Sequence, residues 1–305
     1  MLFRSLRTEV RLWRGYEYHD VTPYEKMTGT GIEYWPIGTF VISKATMKWP
    51  TITLHGFDRL WNLRGRFQAP WVISKAATNM SELERLLRAF IPVATQNIEL
   101  PTRSATTGLT VWDAQDDILT RANDLAIAEG LVLFADPMGT IRAVDEPTID
   151  DSSTPVWTFQ PGKANIADQP TREIDATDAQ NVVVATGDSD GTVAPVRGVA
   201  KDLNPASFTY IGKTPEVPFF YTSPLLRTQS QAALAARTIL NRELGVSDTI
   251  VIASVPIPGL EGGDLIKVVD SKIDANDLLI ADSFSIPLRA AGGNMTIDCR
   301  TQRIT

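Results

Sequence analysis

The side chains that most often carry chemistry are scarce in this sequence, and their spacing limits what they could do. There are two histidines, His19 and His55, and one cysteine, Cys299. Structural zinc sites draw their ligands mainly from Cys and His, so Cys-cluster and His-rich metal sites are not expected. The sequence also lacks the HExxH helix, the GxSxG elbow, the phosphate-binding P-loop and the GxGxxG fingerprint. His55 and Asp58 could form an acid/base dyad, but no serine or cysteine nucleophile context accompanies them. His55 is therefore expected to be a strand-end histidine satisfied by a neighbour. Asp116-Asp117 supplies adjacent carboxylates of the type that glycosidic hydrolysis uses, yet near the start of an expected helix their plainer role is to meet the helix dipole. Asp188-Ser189-Asp190-Gly191 opens like a calcium loop, but position 12 is Val199, where such a loop needs a bidentate carboxylate, so a polar hairpin turn is expected. Gly29-Thr30-Gly31 runs into Ile32-Glu33-Tyr34 and not into an amphipathic helix, so it reads as a loop. Cys299, in Met295-Thr296-Ile297-Asp298-Cys299-Arg300, reads as a small buried hydrophobe. No catalytic, cofactor-binding or metal-binding residue is nominated, no cofactor is expected, and the chain is expected not to be an enzyme.

The elements that would position such residues form a β-rich pattern. Glu9 to Trp13, Gly38 to Ile42, Thr51 to His55 and Asn62 to Phe67 are short β-branched or aromatic runs between Gly, Pro, Asn and Asp signals. They predict a small barrel or sandwich over residues 1–75. Five of the seven tryptophans (Trp13, Trp35, Trp49, Trp61 and Trp71) lie in it, as core and strand-surface packing or as subunit contacts. Residues 76–147 read as an inserted α/β unit. A first helix is expected from a capping box at Ser81-Glu82-Leu83-Glu84, with Leu83, Leu86, Leu87, Phe90 and Ile91 at helical spacing and Pro92 as the stop. A second is expected from Thr110 to Asp113 up to Gly130, burying Ile118, Leu119, Ala122, Leu125 and Ala126. Leu131 to Ala135 and Thr140 to Val144 then form a hairpin about the turn Asp136-Pro137-Met138-Gly139.

Residues 148–222 read as an irregular β-rich segment that partly completes the first barrel, with strands at Val156 to Phe159, Asn181 to Thr186 and Ser207 to Ile211. Residues 223–305 open with an Ala-rich helix, Thr228 to Leu244, closed by Gly245. Strands Thr249 to Val255, Leu265 to Val269, Leu278 to Ile286 and Asn294 to Arg300 follow as a second barrel, with a tight turn at Gly262-Gly263-Asp264. The fold class is therefore α+β, mostly β: two small β-barrel or sandwich tube domains, an inserted α/β domain, and a helix before the C-terminal barrel.

Composition bounds the partners. The 305 residues are 43% hydrophobic, enough for a substantial core, and the net charge of −7 argues against a broad basic surface for nucleic acid. Arg4, Arg7, Glu9 and Arg11 interrupt the N-terminus too often for a signal peptide. No run approaches the ~20 apolar residues of a membrane helix. A single cysteine fits folding in a reducing cytoplasm.

Three stretches give the sequence a family resemblance. The first is Trp35-Pro36-Ile37-Gly38-Thr39-Phe40 followed by Thr51-Ile52-Thr53-Leu54-His55-Gly56-Phe57-Asp58-Arg59. The second runs from Trp112-Asp113 through Gly130 to the hairpin ending Asp136-Pro137-Met138-Gly139. The third is Gly263-Asp264-Leu265-Ile266-Lys267-Val268 with Leu279-Ile280-Ala281-Asp282-Ser283-Phe284-Ser285-Ile286. In this order they resemble the tail-hub, or baseplate-hub, family of long-tailed bacteriophages and related contractile machines, whose members include minor tail proteins. Larger relatives carry a C-terminal spike, lytic or receptor-binding region, whereas this chain stops at Thr305, so cell-wall digestion is expected of another subunit.

The resemblance implies a structural virion protein at the tail tip, synthesised and assembled in the host cytoplasm. It implies a homotrimer whose two β-barrels per chain make a pseudo-six-fold ring joining tail tube to tip, with an acidic lumen as DNA conduit. Its partners would be the tail-tube or distal tail protein and tip or fibre proteins, without stable nucleic-acid binding or membrane insertion. Two other readings stay open: a host-surface carbohydrate-binding module of the virion, suggested by the aromatic N-terminal region, and a peptidoglycan hydrolase using paired carboxylates.

Overall fold

A computed structural model describes residues 8–17, 32–147, 149, 153–161, 166, 168–175, 177, 179–188, 194–205, 207–246, 248–257, 259–288 and 292–301. His19, the Gly29-Thr30-Gly31 loop and the turn at residues 189–191 lie outside the described residues. The chain divides into two compact units, residues 1–126 with 132–144, and residues 127–131 with 145–305. Among the described residues the fold is mostly β with three α-helices, and no sheet closes into a barrel.

In the first unit, β1 (Glu9–Glu17), β2 (Ile32–Lys48) and β3 (Thr51–Phe57) form an antiparallel sheet in that order. Val41 and Ile42 bury the sheet's middle, and every residue of β2 from Lys44 onward, like all of β3, is exposed. The strands outrun their apolar signal because ladder pairing continues past the buried part. The strand expected at Asn62 to Phe67 does not form: Asn62 and Leu63 belong to a 3-10 helix, Arg59–Leu63, and Arg66 makes only an isolated bridge to Asp117. Asp58 caps it by accepting from the Leu60 amide at 3.0 Å, and Leu60 and Leu63 are buried at the three-residue spacing that this helix type eclipses.

β4 (Trp71–Ile73) is followed by α1 (Asn79–Phe90), β5 (Ile98–Glu99), β6 (Thr110–Trp112), α2 (Ile118–Ile127), β7 (Leu131–Ala135) and β8 (Ile141–Asp145). The capping box of α1 starts three residues earlier than expected. Thr78 is the cap and Ser81, a shorter substitute for Glu or Gln, reaches back to the Thr78 amide at 3.0 Å. Residues Thr110 to Asp113 do not begin α2: Thr110, Val111 and Trp112 pair with β4, and Asp117 starts the helix by accepting from the Thr120 amide at 2.8 Å. Phe67, Trp71, Phe90 and Trp112 gather into one aromatic cluster with neighbouring centroids 5.4–5.9 Å apart. The Asp136–Gly139 turn forms as expected, the Gly139 amide donating to the Asp136 carbonyl at 2.8 Å.

In the second unit, β9 (Trp157–Phe159), β10 (Thr171–Ile174), β11 (Val182–Thr186), β12 (Arg197–Lys201) and β13 (Pro218–Thr222) precede α3 (Gln229–Val246). β14 (Asp248–Ser254), β15 (Leu265–Asp270), β16 (Ala275–Ser285) and β17 (Met295–Thr301) follow. One sheet has the order β10-β14-β17-β16-β15-β9, and its core side is built by alternate residues such as Ile250, Ile252, Met295, Ile297 and Cys299. It stays open: closing it would require β9 to pair with β10, and these are only three and four residues long.

The other sheet, β12-β11-β13, buries β11 from Val182 to Ala185 under α3. The helix can settle there because Gly198 has no side chain; a Cβ on it would stand 2.1 Å from the Ala232 carbonyl carbon. Thr228 and Gln231 cap α3 reciprocally, at 3.2 and 3.0 Å. The helix runs through Gly245 to Val246 and does not stop at it. Ser207 to Ile211 is not a strand, because the Asn181 amide nitrogen binds the Thr209 and Pro215 carbonyls and the Thr214 hydroxyl, so a side chain does the work of a ladder.

Candidate assembly surface

The residues singled out for chemistry do not converge. Asp58 is committed to the 3-10 helix, and no hydrogen bond joins it to His55 among the described residues. Burial raises its pKa above the ordinary carboxylate value, while the Leu60 and Trp61 amides hold it down in part. Asp116 accepts from the Asp113 amide and pairs with Arg121 at 3.0 Å, and Asp117 caps α2, so both carboxylates serve helix geometry. Cys299 is buried in the β14–β17 core, and desolvation, with Asp282 and Asp298 nearby, drives its thiol pKa far up. Among the described residues no group of three His, Cys, Asp or Glu could hold a metal ion, and no helix is long and apolar enough to cross a membrane.

What the first unit does present is an amphipathic arm. Beyond Ser43, β2 and β3 continue as a two-stranded ribbon that is exposed throughout. Its register pairs Ala45 with Leu54 and Met47 with Ile52 on one face, and Lys44 with His55, Thr46 with Thr53 and Lys48 with Thr51 on the other. One face is therefore wholly apolar and the other wholly polar, and Trp49 at the tip is 96% exposed. Residues 43–57 contain two lysines and no carboxylate, in a chain of net charge −7. The outer edge of β3 is a sheet edge. Sequence reading saw Trp49 as packing or contact but missed the two faces, since with the hairpin register unknown Met47 and Ile52 could not be set side by side.

The arm's base is fixed. Arg59, at the end of the Gly56-Phe57-Asp58-Arg59 stretch, is buried and binds both Glu9 oxygens at 2.8 and 2.9 Å, the Gly139 carbonyl at 2.6 Å and the Thr95 carbonyl at 3.1 Å. One guanidinium thus ties β1, the 3-10 helix and the β7–β8 turn together.

No family model and no curated protein matches the sequence. Solved structures do. A tail protein of Neisseria meningitidis MC58 superposes with a TM-score of 0.63 at 16% identity, covering 89% of this chain and 82% of that one. The prophage MuSo2 43 kDa tail protein of Shewanella oneidensis gives 0.58 at 12% identity, over 97% and 90%. The prophage tail protein gp18 of Listeria monocytogenes EGD-e gives 0.54 at 12% identity, over 96% and 84%. The chain has the fold of phage and prophage tail proteins.

Proposed function

We propose that the chain is a structural subunit of a phage tail, a hub at the tail tip or baseplate whose copies assemble around the tail axis. The observation that carries this reading is the arm: an exposed apolar face and a free strand edge on one ribbon are what a subunit shows when its contacts lie on another chain. The occupant of that face is a second copy, because the arm is cationic and the rest of the chain is acidic. The shared fold with tail proteins supports the reading by analogy.

In this reading three chains form the ring, and each contributes two β-modules, residues 1–75 and residues 223–305, the second extended by β9 and β10, with residues 76–147 as an insert. Sheets that are open in one chain are completed by neighbours, giving six pseudo-equivalent modules that match a tail tube and enclose a DNA conduit. The ring would sit in the virion between tube and tip or fibre proteins and would catalyse nothing. Sedimentation and electron microscopy of the purified chain test this, with three-fold rings expected. Replacing Met47, Trp49 and Ile52 by Thr, Ser and Thr should leave the fold intact and yield monomers. A wild-type chain that stays monomeric at every concentration, or an arm variant that assembles as well as wild type, refutes it.

A further inference from the structure

In the second unit, residues 199–203 line a cavity of about 300 Å³ together with Ala233, Arg237, Leu240, Asn241 and Leu244 of α3. Successive strand residues face opposite sides of a sheet, so a cavity touching Val199, Ala200 and Lys201 in a row lies along the strand's edge. β12 is an outer strand, and its ladder fixes which main-chain groups are free. The Gly187 amide donates to the Val196 carbonyl and the Asp202 amide to the Asn181 carbonyl. In this antiparallel register Gly198 and Ala200 therefore turn their N–H and C=O toward β11, and Arg197, Val199 and Lys201 turn theirs outward.

The Arg197 carbonyl is already taken by the Gln229 side-chain amide, a group from α3 standing where a neighbouring strand's N–H would be. The next two outward positions, Val199 and Lys201, border the cavity. On the helix side, Asn241 is only 6% exposed and its amide has no hydrogen-bond partner among the described residues. The charges are also accounted for. Lys201 is paired with Glu216 at 2.6 Å, and the Asp202 carboxylate accepts from the Thr209 hydroxyl at 2.6 Å and the Asn204 amide at 3.1 Å. Arg237 is the cation left without a partner among the described residues that line the cavity.

We propose that this groove binds an extended segment of a second protein, which adds as a strand to the free edge of β12, sets a carboxylate against Arg237 and gives Asn241 a polar partner. Main-chain hydrogen bonds supply the affinity, and the unpaired guanidinium selects an acidic segment over a basic one. The surface is separate from the arm, and the proposal does not require that the chain form rings.

The test uses the isotope-labelled full chain and the blocked pentapeptide acetyl-Val-Glu-Val-Asp-Val-amide, with a lysine-substituted pentapeptide and an N-methylated acidic pentapeptide as controls. Saturable NMR shifts are expected at the Val199 and Lys201 amides and the Arg237 side chain with the acidic peptide, and not with the controls. Arg237→Glu changes an exposed helix residue, and Val199→Pro removes an N–H that the ladder does not use, so both should fold. Each should weaken binding about ten-fold, the cost of one lost hydrogen bond, to a carboxylate for Arg237 and to a main-chain carbonyl for Val199. If Val199→Pro fails to fold, the N-methylated peptide tests the same main-chain bonds. Equal binding of the lysine or N-methylated peptide, shifts confined to other surfaces, or no saturation overturns the proposal. So does altered sedimentation of either variant without peptide, which would assign the groove to contacts between copies.

Discussion

Replacing Arg59 by Met tests whether the first unit depends on its buried ion pair. The guanidinium side chain is 4% exposed and that of Glu9 22%, and four hydrogen bonds converge on the cation. Methionine fills much of the volume but leaves Glu9 and the Gly139 carbonyl without the guanidinium, while the Thr95 carbonyl keeps the Asn97 amide. Breaking a buried pair from one side costs about 3–5 kcal/mol. Water reaches Glu9 to some extent, so about 3 kcal/mol is expected. With a urea slope of roughly 2 kcal/mol/M, the midpoint should fall by about 1.5 M.

Tryptophan fluorescence is the right probe, because six of the seven tryptophans lie in the first unit and only Trp157 in the second. Arg88→Ala is the internal comparison. It removes an ion pair to Glu84 of similar length, 2.7 Å, but both side chains are about half exposed, and the loss should stay under about 0.5 kcal/mol. The double variant Arg59→Met with Glu9→Leu should recover part of the stability, since no stranded charge remains. If Arg59→Met unfolds at the same urea concentration as Arg88→Ala, the role given to Arg59 is wrong.

Other substitutions address the remaining packing and titration arguments. Gly198→Ala drives a methyl into the Ala232 backbone, which cannot yield as a side-chain tip would, so a loss of about 3 kcal/mol or an insoluble product is expected in thermal melts; a soluble variant melting with wild type would sink that account. Cys299 should resist a thiol-specific disulfide reagent at pH 8 in the native chain and react fully in denaturant, since burial keeps the thiolate scarce; fast native reaction would contradict it. Asp58 is raised in the folded chain, so it favours folding most below its ordinary value of 3.8, and that contribution is lost as pH rises through the raised native value. Asp58→Asn keeps the cap and removes the titration, so its urea midpoint should fall less than that of wild type over this window, and parallel pH profiles would refute the assignment.

The elements legible in the sequence are those whose reasons are local. Leu83, Leu86 and Leu87 on α1, Ala122, Leu125 and Ala126 on α2, and the Asp136–Gly139 turn are all fixed by neighbours within a few residues, and each appears where its spacing puts it. The missed elements owe their form to partners far along the chain. β12 (Arg197–Lys201) has no apolar alternation of its own and exists because β11 pairs with it and α3 lies across Gly198. Thr110 to Trp112 fits a helix start by composition, and β4, some forty residues earlier, makes it a strand. The Thr209 and Pro215 carbonyls are bound by one asparagine, a solution no periodicity can announce.

The same division explains the two surfaces. The arm's apolar face exists only in the β2–β3 register, and the groove's free edge only in the β11–β12 register, so neither can be read from one strand alone. Chemistry-bearing residues are conspicuous in a sequence by type, whereas surfaces built from strand pairing are a property of two segments at once. Surfaces of this kind become visible only once the pairing register of both segments is known.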